Sequence, residues 1–273
     1  MKLDLITVVF DHELHLLKWQ AASISKYVDK DLIQDIIIVD NGSQSCTVDR
    51  SWYGDVQHKV RVLTHKDIDL VVMQHLDGWR TQQLCKLLAA AKSNCEWSVV
   101  LDAKTMFSNQ FPRVGLFDAG KVHVGRQPIN TYWSESQKYL EKYYNIEMDE
   151  MIGPGGVPFF FHTKTLNQMI NTIYDFNTWF QNGLYEKTTP HRTLLTEFML
   201  YSAFCQHKGI TDKLYGQQSQ FMPYNIAENE MEKFEGIFDT QADSISIAEK
   251  AKSQMGSKQI ERWEQHLNDR FLC

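Results

Sequence analysis

The first hundred residues alternate between short apolar runs and longer stretches with helical spacing. Leu3-Asp4-Leu5-Ile6-Thr7-Val8-Val9-Phe10 is short and rich in β-branched residues, which predicts a buried strand. Over residues 12–27 the apolar side chains Leu16, Trp19, Ala22 and Ile24 recur on one face of a helix. Ile36-Ile37-Ile38-Val39 predicts a second buried strand. It stops at Asp40-Asn41-Gly42-Ser43, where Asn-Gly marks a turn. Residues 60–64 predict a third strand. A helix over 78–92 carries Trp79, Leu84, Leu87, Leu88 and Ala91, and a strand over 97–101 stops at Asp102. This alternation predicts an α/β fold with a mainly parallel sheet covered by helices. Such sheets bind ligands beyond the carboxyl ends of their strands. Polar clusters at Asp40 and Asp102 fall at two of those ends.

The second half reads differently. Gly153-Pro154-Gly155-Gly156 and then Pro158-Phe159-Phe160-Phe161 predict a loop followed by a buried strand. Helices are expected over 166–180 and 193–207, a short strand over 240–247 and a closing helix over 258–267. No internal repeat, low-complexity tract or linker divides the chain. One domain over residues 1–273, its halves sharing one sheet, is the expectation.

Composition narrows the class. Of 273 residues, 43% are hydrophobic and 23% charged, as in a globular protein. A core of this size buries roughly three quarters of the unfolded surface, so neither metal nor disulfide is required to hold the fold. Cys46, Cys85, Cys95, Cys205 and Cys273 are odd in number and form no C-x-x-C pair, which fits reduced thiols. The amino terminus lacks a signal-peptide pattern, and no apolar run approaches the roughly 20 residues of a membrane span. A cytoplasmic location is therefore expected. A net charge of −6 counts against a sequence-independent grip on nucleic acid. The basic residues Lys187, Arg192, Lys208 and Lys213 are diluted by Glu197 and Asp212 and read as mixed solvated surface.

With these motifs in order, the chain resembles the GT-A-type glycosyltransferases, the nucleotide-diphospho-sugar transferases. Asp40-Asn41-Gly42-Ser43 resembles their first nucleotide-binding turn. Gly78-Trp79-Arg80-Thr81-Gln82-Gln83-Leu84-Cys85-Lys86-Leu87, followed by Val99-Val100-Leu101-Asp102-Ala103-Lys104-Thr105, is similar to a poorly characterised bacterial and phage family of that superfamily. In it the helix reads G-W-x-x-Q-Q-x-x-K-L and the strand leads into L-D-A-D-T. Pro158-Phe159-Phe160-Phe161-His162-Thr163 and Thr196-Glu197-Phe198-Met199-Leu200-Tyr201 also resemble family segments. The resemblance implies a GT-A-like, Rossmann-type mixed sheet, with residues 1–115 as the nucleotide-sugar half and 116–273 as the acceptor half. It implies transfer of a sugar from a nucleoside-diphosphate sugar to a hydroxyl. The acceptor is a glycan, a small molecule or, given the phage relatives, a hydroxylated base in DNA.

Two departures stand out. The pattern calls for Asp-x-Asp, whose carboxylates bind a divalent ion between the diphosphate oxygens; the second is Lys104 here. Relatives often place a histidine where this chain has Ala248. Both departures remove metal ligands, so no metal cofactor is expected to be required, with Mn or Mg disfavoured by Lys104.

The residues carry chemistry of their own. Leaving-group departure from a nucleotide-sugar adds negative charge to the diphosphate, which a metal or a cationic side chain must stabilise. Alternation along an extended segment would put Asp102 and Lys104 on one side, so that Lys104 supplies the missing charge; the bland reading is a solvated strand end. Asp40 is expected to accept hydrogen bonds from the base or ribose, although Asp-Asn-Gly makes a good turn anywhere. Gln82 and Lys86 share a helix face, with Gln83 one step round. A polar stripe of this kind is ordinarily solvated; bracketed by Trp79 and Leu87, one glutamine is expected to point into the site. Glu197, in an apolar context, is the candidate base for the acceptor hydroxyl, or else a carboxylate favoured by a helix dipole. Asp149 and Glu150 are the second choice. His162 and His191 read as structural or surface residues, and the Gly-Pro-Gly-Gly loop as a wall of the acceptor cleft. A non-catalytic nucleotide-sugar binder is the alternative from another class. A nucleotidyltransferase fits less well, because its Gly-rich basic loop is replaced by Phe10-Asp11-His12-Glu13.

Overall fold

A computed structural model describes residues 1–42, 47–73, 78–184, 195–226, 230–247 and 252–272, without the side chains of residues 132 and 184. The centre is a five-stranded sheet in the order β10-β4-β1-β2-β3, with β1 Leu3–Val9, β2 Ile33–Asp40, β3 Val60–Leu63, β4 Trp97–Asp102 and β10 Phe159–His162. The first four pair in parallel, and β10 adds antiparallel to β4. All seven residues of β1 are buried, as a central strand covered on both faces must be. Helices α1 Leu17–Tyr27 and α2 Gly78–Ala91 supply that cover.

The remaining strands are short. β5 Met106–Phe107, β11 Pro223–Ile226 and β12 Ser244–Ile247 form a second sheet in the order β11-β12-β5. β6 Phe117–Asp118 pairs with β7 Lys121–Val122, and β8 Arg126–Pro128 with β9 Glu150–Ile152. Helices α3 Ser134–Tyr144, α4 Thr163–Thr172, α5 Phe176–Leu184, α6 Glu197–His207, α7 Thr211–Leu214 and α8 Ser257–Phe271 complete the fold.

Several expected elements differ in extent. The first helix begins as a 3-10 turn over Asp11–Leu16 before α1. The helix expected over 166–180 is two helices, because Ile173 turns extended and Asp175 takes φ 44°. The strand expected over 240–247 is confined to β12 and lies in the second sheet. The closing helix runs further at both ends, as α8.

The second half joins the first through β10. Phe159, Phe160 and Phe161 are fully buried, and Phe159 stacks on Phe198 of α6 with ring centroids 4.3 Å apart. Phe161 meets Tyr201 edge-on at 4.9 Å. Each such pair adds roughly 0.5–1.5 kcal/mol beyond the burial of its area. Together they seat the first turn of α6 against the edge of the main sheet.

Candidate functional site

Register sets the two acidic strand ends one residue apart along β1, so their side chains leave opposite faces of the sheet. Val9 pairs with Asp40 on one side of β1 and Val8 with Asp102 on the other. The two residues flank a single strand, their backbones about two strand spacings or ~10 Å apart.

The Asp40 side is built from a turn. Asp40 Oδ1 accepts the Gly42 N–H at 3.0 Å. Asn41 is buried and donates from Nδ2 to the Gly78 carbonyl at 3.1 Å, tying β2 to the start of α2. That bond fixes the amide orientation, so Asn41 Oδ1 accepts from His65 Nε2 at 2.8 Å and neutral His65 is the Nε2–H tautomer. Burial lowers the His65 pKa, against the pull of Asp40. Gly42 leaves no room for a side chain: a Cβ would come within 2.0 Å of Asp11 Oδ1.

The Asp102 side departs from the expected geometry. Residues 102–105 form a turn, closed by the Thr105 N–H on the Asp102 carbonyl at 2.9 Å. This turn, rather than strand alternation, brings Lys104 Nζ to 3.2 Å from Asp102 Oδ2. Gln20, buried on α1, clamps it. Its Nε2 donates to the carbonyls of Asp102 at 2.7 Å and Thr105 at 3.0 Å, and its Oε1 accepts from Thr7 Oγ1 at 2.8 Å. Sequence reasoning missed Gln20. Its signal was a polar side chain four residues before Ile24, on a face that is otherwise apolar.

α2 and α6 close the site. Gln82 is half-buried, while Gln83 and Lys86 are only 2% and 4% exposed. Lys86 Nζ lies 2.9 Å from Asp102 Oδ1 and donates to Glu197 Oε1 at 3.3 Å. The contact with Asp102 is an ion pair, so Oδ1 faces the Lys86 ammonium. Glu197 is the first residue of α6 and is buried. The structure therefore gathers Lys86, Asp102, Lys104 and Glu197 into one network, with Gln83 on the helix turn before Lys86.

Burial and pairing drive the two carboxylates apart. At Asp102 burial raises the pKa, but Lys104 and Lys86 together outweigh it and hold the group well below the usual range. At Glu197 burial dominates over Lys86, and the pKa is raised. Burial alone would depress the Lys86 pKa; Asp102 and Glu197 overcome it and keep the ammonium charged. Glu13, in the 3-10 turn after β1, also feels this network. Burial raises its pKa against Lys104, and Asp102 adds to the rise. The sequence reading named Glu13 only as part of a loop. Two carboxylates pushed apart in this way are the arrangement from which acid and base roles are drawn.

The donor set suits a divalent ion poorly. Both oxygens of Asp102 face ammonium groups. A doubly charged ion ~5 Å from one ammonium is opposed by about 7 kcal/mol at an effective dielectric of about 20. Among the described residues no three His, Cys, Asp or Glu side chains gather as a ligand set. Ala248 and His191 lie outside the described residues.

Other candidates fall elsewhere. Glu150 lies 3.5 Å from Arg126, which also binds Asp212, in a separate cleft. His162 Nδ1 pairs with Thr165 Oγ1 at 2.8 Å, a structural contact. The Gly-Pro-Gly-Gly loop packs on β8, where a Cβ on Gly155 would meet Gln127 Oε1 at 2.3 Å. A cleft of about 730 Å³ opens at the opposite end of the sheet, beside Lys2, Gln34, Trp97 and Lys121, and touches none of the network. The chemistry of the carboxyl ends, not cavity size, marks the site.

Comparison with known proteins gives the family and the fold. A family of unknown function, DUF6492, matches residues 8–238. The chain belongs to that family. No curated protein sequence matches this DUF6492 chain. Among solved structures it is similar to the galactosyltransferase LgtC in complex with donor and acceptor sugar analogs. The TM-score is 0.55 at 9% identity, over 98% of this chain and 96% of that one. An active-site mutant of LgtC gives 0.53 at 9% identity, over 97% and 95%. The DUF6492 chain has the fold of GT-A-type glycosyltransferases. None of its described helices is long and apolar enough to cross a membrane.

Proposed function

We infer that this DUF6492 chain is a glycosyltransferase, moving a sugar from a nucleoside-diphosphate sugar to a hydroxyl of a glycan, a small molecule or a hydroxylated DNA base. The observation that carries the reading is the buried Lys86–Asp102–Glu197 contact, with Lys104 beside it, at the carboxyl end of β4 in a GT-A-type fold. Asp40, on the other side of β1, receives the base or ribose, and Gln82, Gln83 and Lys86 line the helix side. The acceptor oxygen attacks the anomeric carbon, and the bond from that carbon to the phosphate oxygen breaks. The diphosphate leaves with the electron pair. Its added charge is met by Lys104 and Lys86 in place of a divalent ion. Glu197, with its raised pKa, takes the acceptor's proton. LgtC, which shares the fold, was crystallised with donor and acceptor sugar analogs, which supports sugar transfer as the reaction class.

The test is a thermal-shift screen over UDP-, GDP- and dTDP-sugars, with and without chelator, followed by sugar transfer with the donor that binds. Stabilisation by one nucleotide-sugar class is expected. If no nucleotide-sugar raises the melting temperature under either condition, the reading fails.

A further inference from the structure

The ion network is ringed by polar groups that bond to nothing. Gln83 is 2% exposed, and neither its Oε1 nor its Nε2 has a hydrogen-bond partner. Thr196, adjacent to Glu197, is buried with an unpartnered Oγ1, even though it occupies the N-cap of α6, where a hydroxyl ordinarily accepts from the helix. A buried donor or acceptor left unsatisfied costs about 1–3 kcal/mol. Two such residues, one three positions from Lys86 on α2 and the other adjacent to Glu197, call for a partner that folding does not supply.

Position ties these groups to the site. Gln83 precedes Lys86 by three residues on α2 and shares its face. That face is fixed, because Lys86 reaches both Asp102 and Glu197. The Gln83 amide carries two donors and an acceptor in one plane, spaced to bond two neighbouring hydroxyls, each of which both donates and accepts. Thr196 offers a further hydroxyl. A ligand rich in adjacent hydroxyls satisfies such a set, and an apolar or bare phosphate ligand does not.

We propose that Gln83 reads the transferred sugar itself: its amide, backed by Thr196, bonds adjacent hydroxyls of a fully hydroxylated hexose donor and selects it over deoxy sugars. This rests on the glycosyltransferase reading and adds the substrate class. A site built to hydrogen-bond a hydroxyl discriminates strongly against the analogue lacking it, because its buried groups are then stranded.

The experiment measures affinity for UDP, UDP-glucose, UDP-galactose, GDP and GDP-mannose by calorimetry, with Gln83→Leu and Gln83→Met beside the native chain. The native protein is expected to bind one hexose donor at least 10-fold more tightly than its bare nucleoside diphosphate. In both variants that advantage should vanish while affinity for the diphosphate stays within about 2-fold. The ligand-free melting temperature of the variants should hold or rise by about 2–4 °C, since two stranded polar atoms are removed. A structural glutamine behaves oppositely, and a fall in melting temperature in both variants overturns the proposal. So does an undiminished hexose advantage. If the native chain binds no diphosphate and no donor, the glycosyltransferase reading fails first. If it binds both and the variants do not differ from it, only the role of Gln83 fails.

Discussion

Replacing Lys86 by methionine tests the centre of the site directly. Its ammonium sits 2.9 Å from Asp102 Oδ1 and 3.3 Å from Glu197 Oε1, with the side chain 4% exposed. At an effective dielectric of about 20, each contact is worth roughly 5–6 kcal/mol of gross attraction, most of it offset by desolvation. Breaking a buried pair by removing one partner costs about 3–5 kcal/mol. The two carboxylates respond differently. Asp102 keeps Lys104 at 3.2 Å and stays ionised. Glu197 loses the cation that opposed its burial, so its pKa rises further and it takes up a proton. The penalty should therefore be about 3–4 kcal/mol near pH 8, a drop of roughly 6–16 °C in melting temperature, and smaller near pH 5.5. The sign follows from linkage. A carboxyl whose folded pKa is raised favours the native state when protonated, so stability falls as pH rises from the unfolded value of 4.5 through the folded one. Lys86 itself, its pKa raised, contributes fully below 10.5 and does not titrate in this window. The assay is urea unfolding at both pH values for Lys86→Met, Glu197→Gln and the double variant. The double variant should recover at least 2 kcal/mol of the summed losses at pH 8. Additive losses, or a penalty that grows toward pH 5.5, would refute the reasoning.

Three further outcomes are expected. Glu197→Gln should lower turnover by roughly 10²–10⁴-fold with donor affinity nearly intact; unchanged turnover removes it as the base. Thorough chelation should leave most transfer activity, and Lys104→Ala should abolish it, whereas a strict magnesium or manganese requirement of the native chain contradicts the lysine-for-metal reading. Gln20→Leu strands the carbonyl of Thr105 and the hydroxyl of Thr7 and takes one of two donors from the carbonyl of Asp102, so it should cost about 2–4 kcal/mol and loosen the 102–105 turn. A loss below about 1 kcal/mol in denaturant melts would show that the clamp is dispensable.

The sequence was most informative where periodicity and strand-end chemistry coincide. β1, β2 and β4 are near-continuous β-branched and aliphatic runs, and each acidic end was visible because the apolar run stops at it. Lys86 and Glu197 were nameable as residue types, but not as a pair: 111 positions separate them, and tertiary packing, Phe198 on Phe159 and Tyr201 on Phe161, brings them together. The turn at 102–105 was read as extended because its closing bond and its Gln20 clamp are tertiary. Gln20 and Glu13 were missed for the same reason. One is a polar residue on an apolar helix face, and the other a carboxylate in an ordinary loop. The direction of β10 was likewise set by long-range pairing, with Phe159 opposite Val100.

β10 carries a consequence for how the chain can be divided. A fragment ending near residue 115 holds both acidic strand ends and would look like a self-contained donor half. It would also leave β4 as an open sheet edge, with Val99 and Val100 free to recruit another chain. It would strand Lys86 with one carboxylate where the whole protein supplies two. The charge balance at the end of β4 is completed from the far half of the polypeptide. The two halves are therefore not interchangeable parts: exchanging the second half between relatives would carry Glu197 with it, and would reset the protonation around Lys86 and Asp102 at the same stroke.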